Sequence, residues 1–219
     1  MKLQLPNITL AIVDCVDFKR AWGVVNHCAQ LCDFGALKIL THFEDYCGKC
    51  IIPIKQITSI AEYSQFMIRD LNVHIDTEFV LVVQHDGFIV NPNAWDEEFL
   101  RYDYIGAPWH EDHLGPNTDP RYRIGNGGFS LRSKKLLDFL AHDSRFENLT
   151  KPEDVTIGQI HRGYLEENGF SFPSIELARK FSNENYAWDQ SFGQHCHFVL
   201  HPCRNQPKSK RQETHVTLP

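Results

Sequence analysis

Four short segments of the chain carry residue types that could do chemistry. The first is Asp86, which follows an apolar run from Phe79 to Val83 and is flanked by His85 and Gly87. A carboxylate at the end of a buried strand is costly to desolvate without a partner, and a divalent cation that bridges to phosphate oxygens is one such partner. His-Asp-Gly is also ordinary turn chemistry after a strand, so a turn and a metal site are equal alternatives on these residues alone.

The second segment is the carboxylate pair Glu153-Asp154, which follows Pro152 at the expected start of a helix. Acidic side chains are favourable at that position because the helix dipole stabilises negative charge, and this is the purely structural interpretation. A carboxylate that is held near a reacting hydroxyl group can also serve as a general base. The pair therefore predicts either a helix cap or an acid–base group.

Glycines and histidines make up the other two segments. Three glycines within residues 125–128 would let the backbone approach a ligand closely, although a plain junction between a loop and a strand has the same composition. His195 and His197 alternate near the end of the chain, where they could be metal ligands or residues of a strand edge.

Seven cysteines are an odd number, which excludes complete internal disulfide pairing and favours a reducing compartment. Cys28 and Cys32, followed by Cys47 and Cys50, have spacings that a structural four-thiolate zinc site could use. However, the first two fall within an amphipathic helical pattern, where cysteine is an ordinary small core residue. A core role is therefore the prediction, and zinc is the alternative.

Hydrophobic patterning indicates the elements that must position these segments. Strands are predicted over residues 8–13, 37–41, 51–54, 78–84, 104–107 and 128–131. Helices are predicted over residues 21–32, 59–71, 95–100, from residue 133 onward, and over 155–167. This order is typical of an α/β domain with a largely parallel sheet, in which ligands bind at the carboxyl ends of the strands.

Length and charge narrow the class of protein. The 219 residues suit one large domain, and the net charge of −6 argues against a partner that is a duplex nucleic acid. The charge is uneven, because residues 204–219 carry +3 and the rest of the chain −9. We find neither an apolar run that could span a membrane nor a signal peptide, so we expect a cytoplasmic protein.

The order of these motifs resembles that of nucleotide-sugar-dependent glycosyltransferases of the GT-A fold. The run VLVVQHDGFIVNPNAWDEEFLRYDYIGAPW, followed by GNGGFSLRS, closely resembles a family of small bacterial glycosyltransferase-like domains and, more distantly, the fringe-type inverting transferases. The resemblance covers about residues 9–195 and is most specific over residues 81–133. It implies a single GT-A-like (Rossmann-like) domain over residues 1–203, with a mixed, largely parallel sheet flanked by helices, and a flexible basic tail over residues 204–219.

The resemblance also implies roles for particular residues. Asp86 matches the last Asp of the DxD motif, and with His195 it would bind Mn²⁺ or Mg²⁺, although Gln84 replaces the first Asp of that motif. Asp154, with Glu153 as the alternative, matches the base that deprotonates the acceptor hydroxyl group. The implied donor-binding residues are Asp14, Gln84, His85, Gly127 and Gly128, and the implied acceptor-binding residues are Trp109 and Asn126.

The function implied is transfer of a sugar from a nucleotide-diphosphate sugar, UDP by default, to a hydroxyl group with inversion. The acceptor would be a glycan or lipid-linked glycan of bacterial surface polysaccharide or lipooligosaccharide synthesis. Basic residues of the tail, such as Lys208 and Lys210, would bring the chain to an anionic membrane at its inner face. The alternatives are a non-catalytic nucleotide-sugar or glycan-binding module, motivated by Gln84, and a zinc hydrolase that would use some of the twelve histidines. The sequence does not indicate an oligomeric state.

Overall fold

Two β-sheets and the helices packed on them make up the described chain. The computed structural model of the protein describes residues 1–45, 48–110, 119–184 and 190–195. The strands are β1 (Leu3–Val13), β2 (Cys32–Thr41), β3 (Ile51–Pro53), β4 (Phe79–Val83), β5 (Gly87–Ile89), β6 (Tyr104–Gly106), β7 (Phe129–Ser133), β8 (Ser182–Asn183) and β9 (Gly193–His195). The α-helices are α1 (Phe18–Leu31), α2 (Ile60–Arg69), α3 (Lys134–His142), α4 (Glu153–Val155), α5 (Arg162–Glu167) and α6 (Ile175–Phe181).

The larger sheet has six strands in the order β3-β2-β1-β4-β7-β6. The first four run parallel to one another, whereas β7 runs antiparallel to both β4 and β6. Because β7 is antiparallel, its first residues lie at the same edge of the sheet as the carboxyl ends of β1 and β4. The prediction of an α/β domain with a mixed, largely parallel sheet flanked by helices is confirmed.

Both faces of the central strands are buried, which explains why these strands read as continuous apolar runs. In β1, Leu10 and Ile12 join the core cluster that contains residues of α1 and α6. Ala11 and Val13 point to the other face, where they join residues of α2 and α3 such as Met67. The sheet is therefore a rigid layer between two sets of helices, and its edges are the places left for a ligand.

Polar caps fix where the helices begin. Ser59 Oγ accepts a hydrogen bond from the backbone N–H of Glu62 at 3.2 Å, and Glu62 Oε2 accepts one from the backbone N–H of Thr58 at 2.7 Å. This reciprocal arrangement satisfies backbone donors that a helix start leaves free, and it confirms the cap predicted at Ser59. Ser133 caps α3 in the same way, by accepting from the backbone N–H of Leu136 at 3.0 Å.

Several predicted boundaries of strands and helices are wrong. The first two strands of the sheet are longer than predicted, because each begins earlier in the chain. Strand β1 begins at Leu3 rather than at residue 8, because the chain stays extended through Pro6 with a register shift between Leu5 and Thr9. Strand β2 begins at Cys32, directly after α1 ends, and not at residue 37. The helix predicted over residues 95–100 is instead two 3₁₀ turns, at Pro92–Ala94 and Glu97–Arg101.

The helix predicted over residues 155–167 is interrupted. It begins two residues earlier, with α4, and continues as a π-helical turn over Thr156–Ile160 before α5 begins at Arg162. Close packing accompanies the irregular turn, because a Cβ on Gly158 would lie 2.8 Å from the carbonyl oxygen of Ile124. Single π-helical turns are frequent at functional sites, and this one directly follows the carboxylate pair.

The smaller sheet, in the order β5-β9-β8, has a direct consequence for the site. Strands β5 and β9 are antiparallel with Gly87 opposite His195, so a histidine more than a hundred residues away along the chain lies beside Asp86. His197 and the tail predicted over residues 204–219 lie outside the described residues. Among the residues that are described, no helix has both the length and the apolar character needed to cross a membrane.

Candidate active site

A cavity of about 860 Å³ opens at the carboxyl edge of the six-stranded sheet. Its walls are the ends of β1 and β4, the residues before β7, the starts of α1, α2 and α4, and one residue of β9. This is the edge where α/β sheets bind ligands. The predicted site residues that line the cavity are Asp14, Gln84, His85, Asn126, Gly127, Gly128, Glu153, Asp154 and His195.

Asp14 is tied into the turn that joins β1 to α1. Its Oδ1 accepts hydrogen bonds from the backbone N–H groups of Val16 at 2.7 Å and Asp17 at 2.9 Å. Asp17 in turn caps α1 by accepting from the backbone N–H of Arg20 at 3.2 Å. Asp14 therefore fixes the path of the chain at the cavity wall, and its role in donor binding stays a prediction.

Gln84 and His85 follow β4 and line the cavity. Gln84 Nε2 donates a hydrogen bond to the hydroxyl oxygen of Tyr63 at 3.1 Å. Burial, together with the nearby charge of Glu153, raises the pKa of Tyr63 above its usual range, so its phenol stays neutral. Gln84, which the resemblance matches to the first DxD aspartate, is therefore a neutral amide that already has a tyrosine partner. The side chain of His85 is 43% exposed.

Asp86 is not among the residues that line the cavity, but it forms an ion pair with His195, which does line it. His195 Nε2 lies 3.3 Å from Asp86 Oδ1, and the side chains are only 17% and 16% exposed. Burial by itself lowers the pKa of His195, but its contacts with the carboxylates of Asp86 and Glu184 outweigh burial and raise the pKa to about 9. Burial also opposes ionisation of Asp86, yet the contact with His195 prevails and the pKa of Asp86 is lowered.

The fit of this pair to a divalent cation can be judged from its atoms. In the described ranges, no group of three or more His, Cys, Asp or Glu side chains converges as a metal site. Asp86 Oδ1 is nevertheless a buried carboxylate oxygen without a hydrogen-bond partner, and it faces an imidazole nitrogen. Mg²⁺ is usually held by one or two protein carboxylates and completes its coordination with water and substrate phosphates. Asp86 supplies one such carboxylate, and His195 could add a nitrogen ligand by giving up the proton that its pKa of about 9 retains, whereas a fully protein-coordinated site does not fit.

Gly127 and Gly128 are required by packing. A Cβ on Gly128 would lie 2.1 Å from His195 Nε2, and a Cβ on Gly127 would lie 2.8 Å from Glu153 Oε1. Real Cβ atoms do not approach other atoms so closely, so a side chain at either position would displace a charged neighbour. The glycine-rich segment therefore brings the backbone against the side chains of His195 and Glu153. Its role in donor binding stays a prediction.

Asp154 lies at the start of α4 and lines the cavity. Its Oδ1 accepts from its neighbour, the backbone N–H of Val155, at 2.7 Å, and its Oδ2 accepts from the backbone N–H of Gly127 at 3.1 Å. Burial, followed by repulsion from Glu153, raises its pKa to about 6, and these effects outweigh the two hydrogen bonds. A carboxylate in this state takes up a proton near neutral pH, as a general base must.

Glu153, the neighbour of Asp154, has different surroundings. Its side chain is 5% exposed, and it accepts from Arg132 Nη2 at 3.3 Å and from Ser64 Oγ at 3.1 Å. Arg132 is fully buried and also stacks on the ring of Tyr104 at 5.3 Å. Of the two predicted catalytic carboxylates, Glu153 is thus anchored by a buried arginine, whereas Asp154 is bonded only to backbone N–H groups.

Asn126 and Trp109, the predicted acceptor-binding residues, lie in different places. Asn126 lines the cavity, and its Nδ2 donates to Glu184 Oε1 at 2.7 Å. Trp109 is only 5% exposed and is not part of the cavity wall; a Cβ on Gly125 would lie 2.6 Å from its ring. The structure therefore brings Asn126 to the site and leaves Trp109 packed behind the glycine-rich segment.

Sequence reasoning missed three residues of the site. The first is Arg132, which stands in the GNGGFSLRS motif and contacts Glu153. The second is Glu184, which bridges Asn126 and His195. The third is Tyr63, which contacts Gln84. A signal existed for Arg132, because it occurs in a run that otherwise reads as a buried strand. Nothing near Glu184 in the sequence marks it, since its partners are distant along the chain.

The cysteines that could bind zinc behave as core residues where they are described. Cys28 on α1 and Cys32 on β2 are 0% and 1% exposed within the main core cluster. Burial raises the pKa of each thiol to about 12, as expected for a cysteine that packs as a small core residue. Cys50 is partly exposed, and Cys47 lies outside the described residues. The predicted core role fits Cys28 and Cys32.

The sequence places the chain in a family. The family model of DUF5672, described as a protein of unknown function, matches residues 50–195, which is about two thirds of the chain. The chain therefore belongs to the DUF5672 family. A search of curated proteins finds no match.

Solved structures with a similar fold include glycosyltransferases. One is a glycosyltransferase involved in the glycosylation of the major capsid of the virus PBCV-1, with 13% identity, 86% of this chain and 92% of that chain covered, and a TM-score of 0.52. A second is A197 from STIV, with 12% identity, 71% of this chain and 78% of that chain covered, and a TM-score of 0.42. A third is the apo form of the glycosyltransferase GlyE of Streptococcus pneumoniae TIGR4, with 11% identity, 89% of this chain and 54% of that chain covered, and a TM-score of 0.46. The first likeness confirms the GT-A-like fold; the other two scores are too low to support an argument.

Proposed function

We propose that the chain is a nucleotide-sugar-dependent glycosyltransferase that transfers its sugar with inversion. One observation carries the proposal. One cavity is lined by Asp154, a backbone-anchored carboxylate with a pKa of about 6, and by His195, which forms a buried ion pair with Asp86 that could face a diphosphate-bound cation. The fold shared with the PBCV-1 glycosyltransferase supports the proposal but does not carry it, because shared folds host unrelated functions.

Asp154 would act as the base. In the proposed step its carboxylate accepts the proton of the acceptor hydroxyl group while the hydroxyl oxygen attacks the anomeric carbon of the donor sugar. The bond from that carbon to the diphosphate oxygen breaks, and its electron pair leaves on the diphosphate. A pKa of about 6 suits this role, because the carboxylate is ionised near neutral pH and still accepts a proton readily.

Asp86 and His195 would hold Mn²⁺ or Mg²⁺. When bound there, the ion would neutralise negative charge on the departing diphosphate. The chain is acidic overall, with a net charge of −6, so an anionic ligand needs such a local source of positive charge. Arg20, an exposed residue of the cavity wall, adds one more cation.

The donor and acceptor classes follow the resemblance. We propose a UDP-sugar as donor, bound along Asp14, Gln84, His85 and the glycines, and a glycan hydroxyl group as acceptor near Asn126. Synthesis of bacterial surface polysaccharide or lipooligosaccharide is the proposed context. Trp109 is not proposed as an exposed stacking platform, because its side chain is only 5% exposed.

A thermal-shift panel tests this proposal. UDP, GDP, CMP and CDP would each be added with Mn²⁺, Mg²⁺ or EDTA to the wild type, to Asp86→Ala, and to Glu176→Gln as a control with an exposed carboxylate changed outside the site. A ligand at about 100 times its dissociation constant stabilises a fold by about 2.7 kcal/mol, which is a shift of a few degrees. We expect one nucleotide to shift the wild type and the control only with metal, and not Asp86→Ala. No shift with any nucleotide would refute the donor site.

The second candidate is a non-catalytic nucleotide-sugar or glycan-binding module. The observation that favours it is the neutral Gln84, which already donates to Tyr63 where the motif has an Asp. Both candidates predict nucleotide binding, so turnover separates them. Release of free nucleotide diphosphate from the stabilising donor, in the presence of mixed glycan acceptors, would exclude the binding module; binding without release under any condition would favour it.

Peripheral contact with an anionic membrane is a separate proposal, based on the +3 charge of residues 204–219. Cations near an anionic lipid surface contribute about 1 kcal/mol each to binding. A chain shortened to residue 203 should therefore bind phosphatidylserine vesicles more weakly than the full chain in a sedimentation assay. Equal binding by both chains would contradict the proposal.

A further inference from the structure

Glu184 lies directly after β8 and reaches two residues of the cavity with one carboxylate. Its Oε1 accepts a hydrogen bond from Asn126 Nδ2 at 2.7 Å and lies 3.5 Å from His195 Nδ1. The side chain is 14% exposed, and Oε2 is buried without a hydrogen-bond partner. Leaving a carboxylate in such a place is costly, so its retention requires an explanation.

Both residues that Glu184 contacts, Asn126 and His195, also contact Gly128. Asn126 Oδ1 accepts from the backbone N–H of Gly128 at 3.0 Å, and the imidazole of His195 packs where a Cβ of Gly128 would be. Glu184 therefore connects the histidine to the backbone segment on which it rests. A change at Glu184 would loosen both at once.

The contact between Glu184 Oε1 and His195 Nδ1 is an ion pair at 3.5 Å and not a hydrogen bond, and it matches the direction in which the ring faces. With Nδ1 directed to Glu184, Nε2 is directed to Asp86 Oδ1 at 3.3 Å. A histidine that binds a metal typically donates its other ring N–H to a carboxylate, which fixes the orientation of the ring and leaves the second nitrogen available. Glu184 stands in the place of that carboxylate.

We propose that Glu184 is a positioning residue that holds His195 with Nε2 toward Asp86 and, through Asn126, fixes the glycine segment against it. The proposal rests on the function proposed above, in which Asp86 and His195 bind a divalent cation. Glu184 itself does not touch the cation or the reacting atoms.

The first experiment measures Mn²⁺ affinity directly, by titration followed with electron paramagnetic resonance and without any donor or acceptor. We expect Glu184→Gln to bind Mn²⁺ about 10–100-fold more weakly than the wild type, as is usual when the outer carboxylate of a metal-bound histidine is lost. Glu184→Asp, which keeps the charge but withdraws it from the ring, should show a smaller loss. Glu176→Gln removes an exposed carboxylate on α6 and should bind as the wild type does.

A double-mutant cycle then separates positioning from a general loss of structure. If Glu184 acts through His195, Glu184→Gln should have no further effect on Mn²⁺ affinity in a His195→Ala background. An additive effect in that background would overturn the proposal, because it would mean that Glu184 acts by another route. Thermal unfolding of each variant shows whether the fold is retained, and Glu184→Asp serves if Glu184→Gln does not fold.

The outcomes distinguish this inference from the function on which it rests. Mn²⁺ binding by the wild type with equal affinity in folded Glu184→Gln overturns the role of Glu184 and leaves the proposed metal pair intact. A wild type that binds no Mn²⁺ overturns the proposed metal pair and the inference with it. If Glu184→Gln weakens Mn²⁺ binding in the wild type and has no further effect on affinity in the His195→Ala background, both the metal pair and the role of Glu184 are supported.

Discussion

The metal-side wall, our name for the cavity residue His195 and the two residues that contact it, Asp86 and Glu184, has an imidazole between two carboxylates. The base-side wall, our name for the cavity residues Glu153 and Asp154 with Arg132, has two adjacent carboxylates and one buried guanidinium, which contacts Glu153. The walls thus contain the same number of acidic groups and one basic side chain each. They differ in their contacts: His195 contacts both carboxylates of its wall, whereas Arg132 contacts Glu153.

That difference separates the acid–base properties of the walls. On the metal-side wall the pKa of Asp86 is lowered, so its carboxylate stays charged and ready for a cation. On the base-side wall Arg132 contacts Glu153, and the pKa of Asp154 rises to about 6. Groups of one chemical type whose environments move their pKa values apart are the usual mark of divided catalytic roles.

The largest effect should come from Asp154→Asn, which keeps the shape of the side chain but removes its basicity. We expect turnover to fall about 10²–10⁴-fold, the usual contribution of a general base, while the metal-dependent thermal shift with nucleotide is retained. The measurement is the release of nucleotide diphosphate under single-turnover conditions. If Glu153→Gln lost turnover and Asp154→Asn kept it, the roles assigned to the two carboxylates would be reversed.

Arg132→Met tests whether the base-side wall depends on its buried cation. Loss of Arg132 leaves the buried Glu153 carboxylate unpaired, and breaking a buried pair in this way costs about 3–5 kcal/mol. Urea unfolding measures the free energy of unfolding. Arg145→Met is the matched control, because Arg145 is 55% exposed in its ion pair with Asp143 and should cost no more than about 1 kcal/mol. Equal losses in the two variants would show that burial of the pair does not matter.

The raised pKa of Asp154 predicts a pH dependence of stability. The native pKa of about 6 exceeds the ordinary value of 3.8, so folding favours the protonated form. The stabilisation is fully present below about pH 4 and is lost as the pH rises through 6. Asp154→Asn cannot ionise, so above pH 7 it should be more stable than the wild type by at most about 3 kcal/mol.

Thermal unfolding of the two proteins between pH 4 and pH 8 measures this difference. The gap in melting temperature should open as the pH rises. A gap that is constant with pH would mean that Asp154 ionises at its ordinary pKa and is not primed as a base. The same pKa predicts that kcat/KM rises through about pH 6.

Gly128→Ala gives the smallest expected effect and probes the metal-side wall. Its Cβ would lie 2.1 Å from His195 Nε2, and overpacking of this kind costs about 1–3 kcal/mol. Gly23→Ala is the control, because Gly23 lies within α1 with nothing within 4 Å of a Cβ, and alanine should stabilise a helix there by about 0.5–1 kcal/mol. The two substitutions should shift the urea midpoint in opposite directions, and a shift in the same direction would contradict the packing described for Gly128.

Sequence patterns predicted the central sheet because each central strand is buried on both faces and therefore appears as an apolar run. Shorter elements were harder to predict. Strand β9 is only three residues long, and its pairing with β5 depends on a contact between Gly87 and His195 that no local pattern encodes. The interrupted helix after Asp154 was missed for a similar reason, since Gly158 packs against Ile124 from another part of the chain.

The sequence by itself determined the α/β class, the capped helix starts and nine of the residues that line the cavity, because strand ends, glycines and carboxylates carry local signals. Only the tertiary structure decided that Arg132 contacts Glu153 and not Asp154, that Glu184 faces His195, and that Trp109 is buried. These outcomes depend on distances between side chains far apart in the chain. The charge state of a buried carboxylate follows from those distances, and the spacing of residues along the sequence does not contain them.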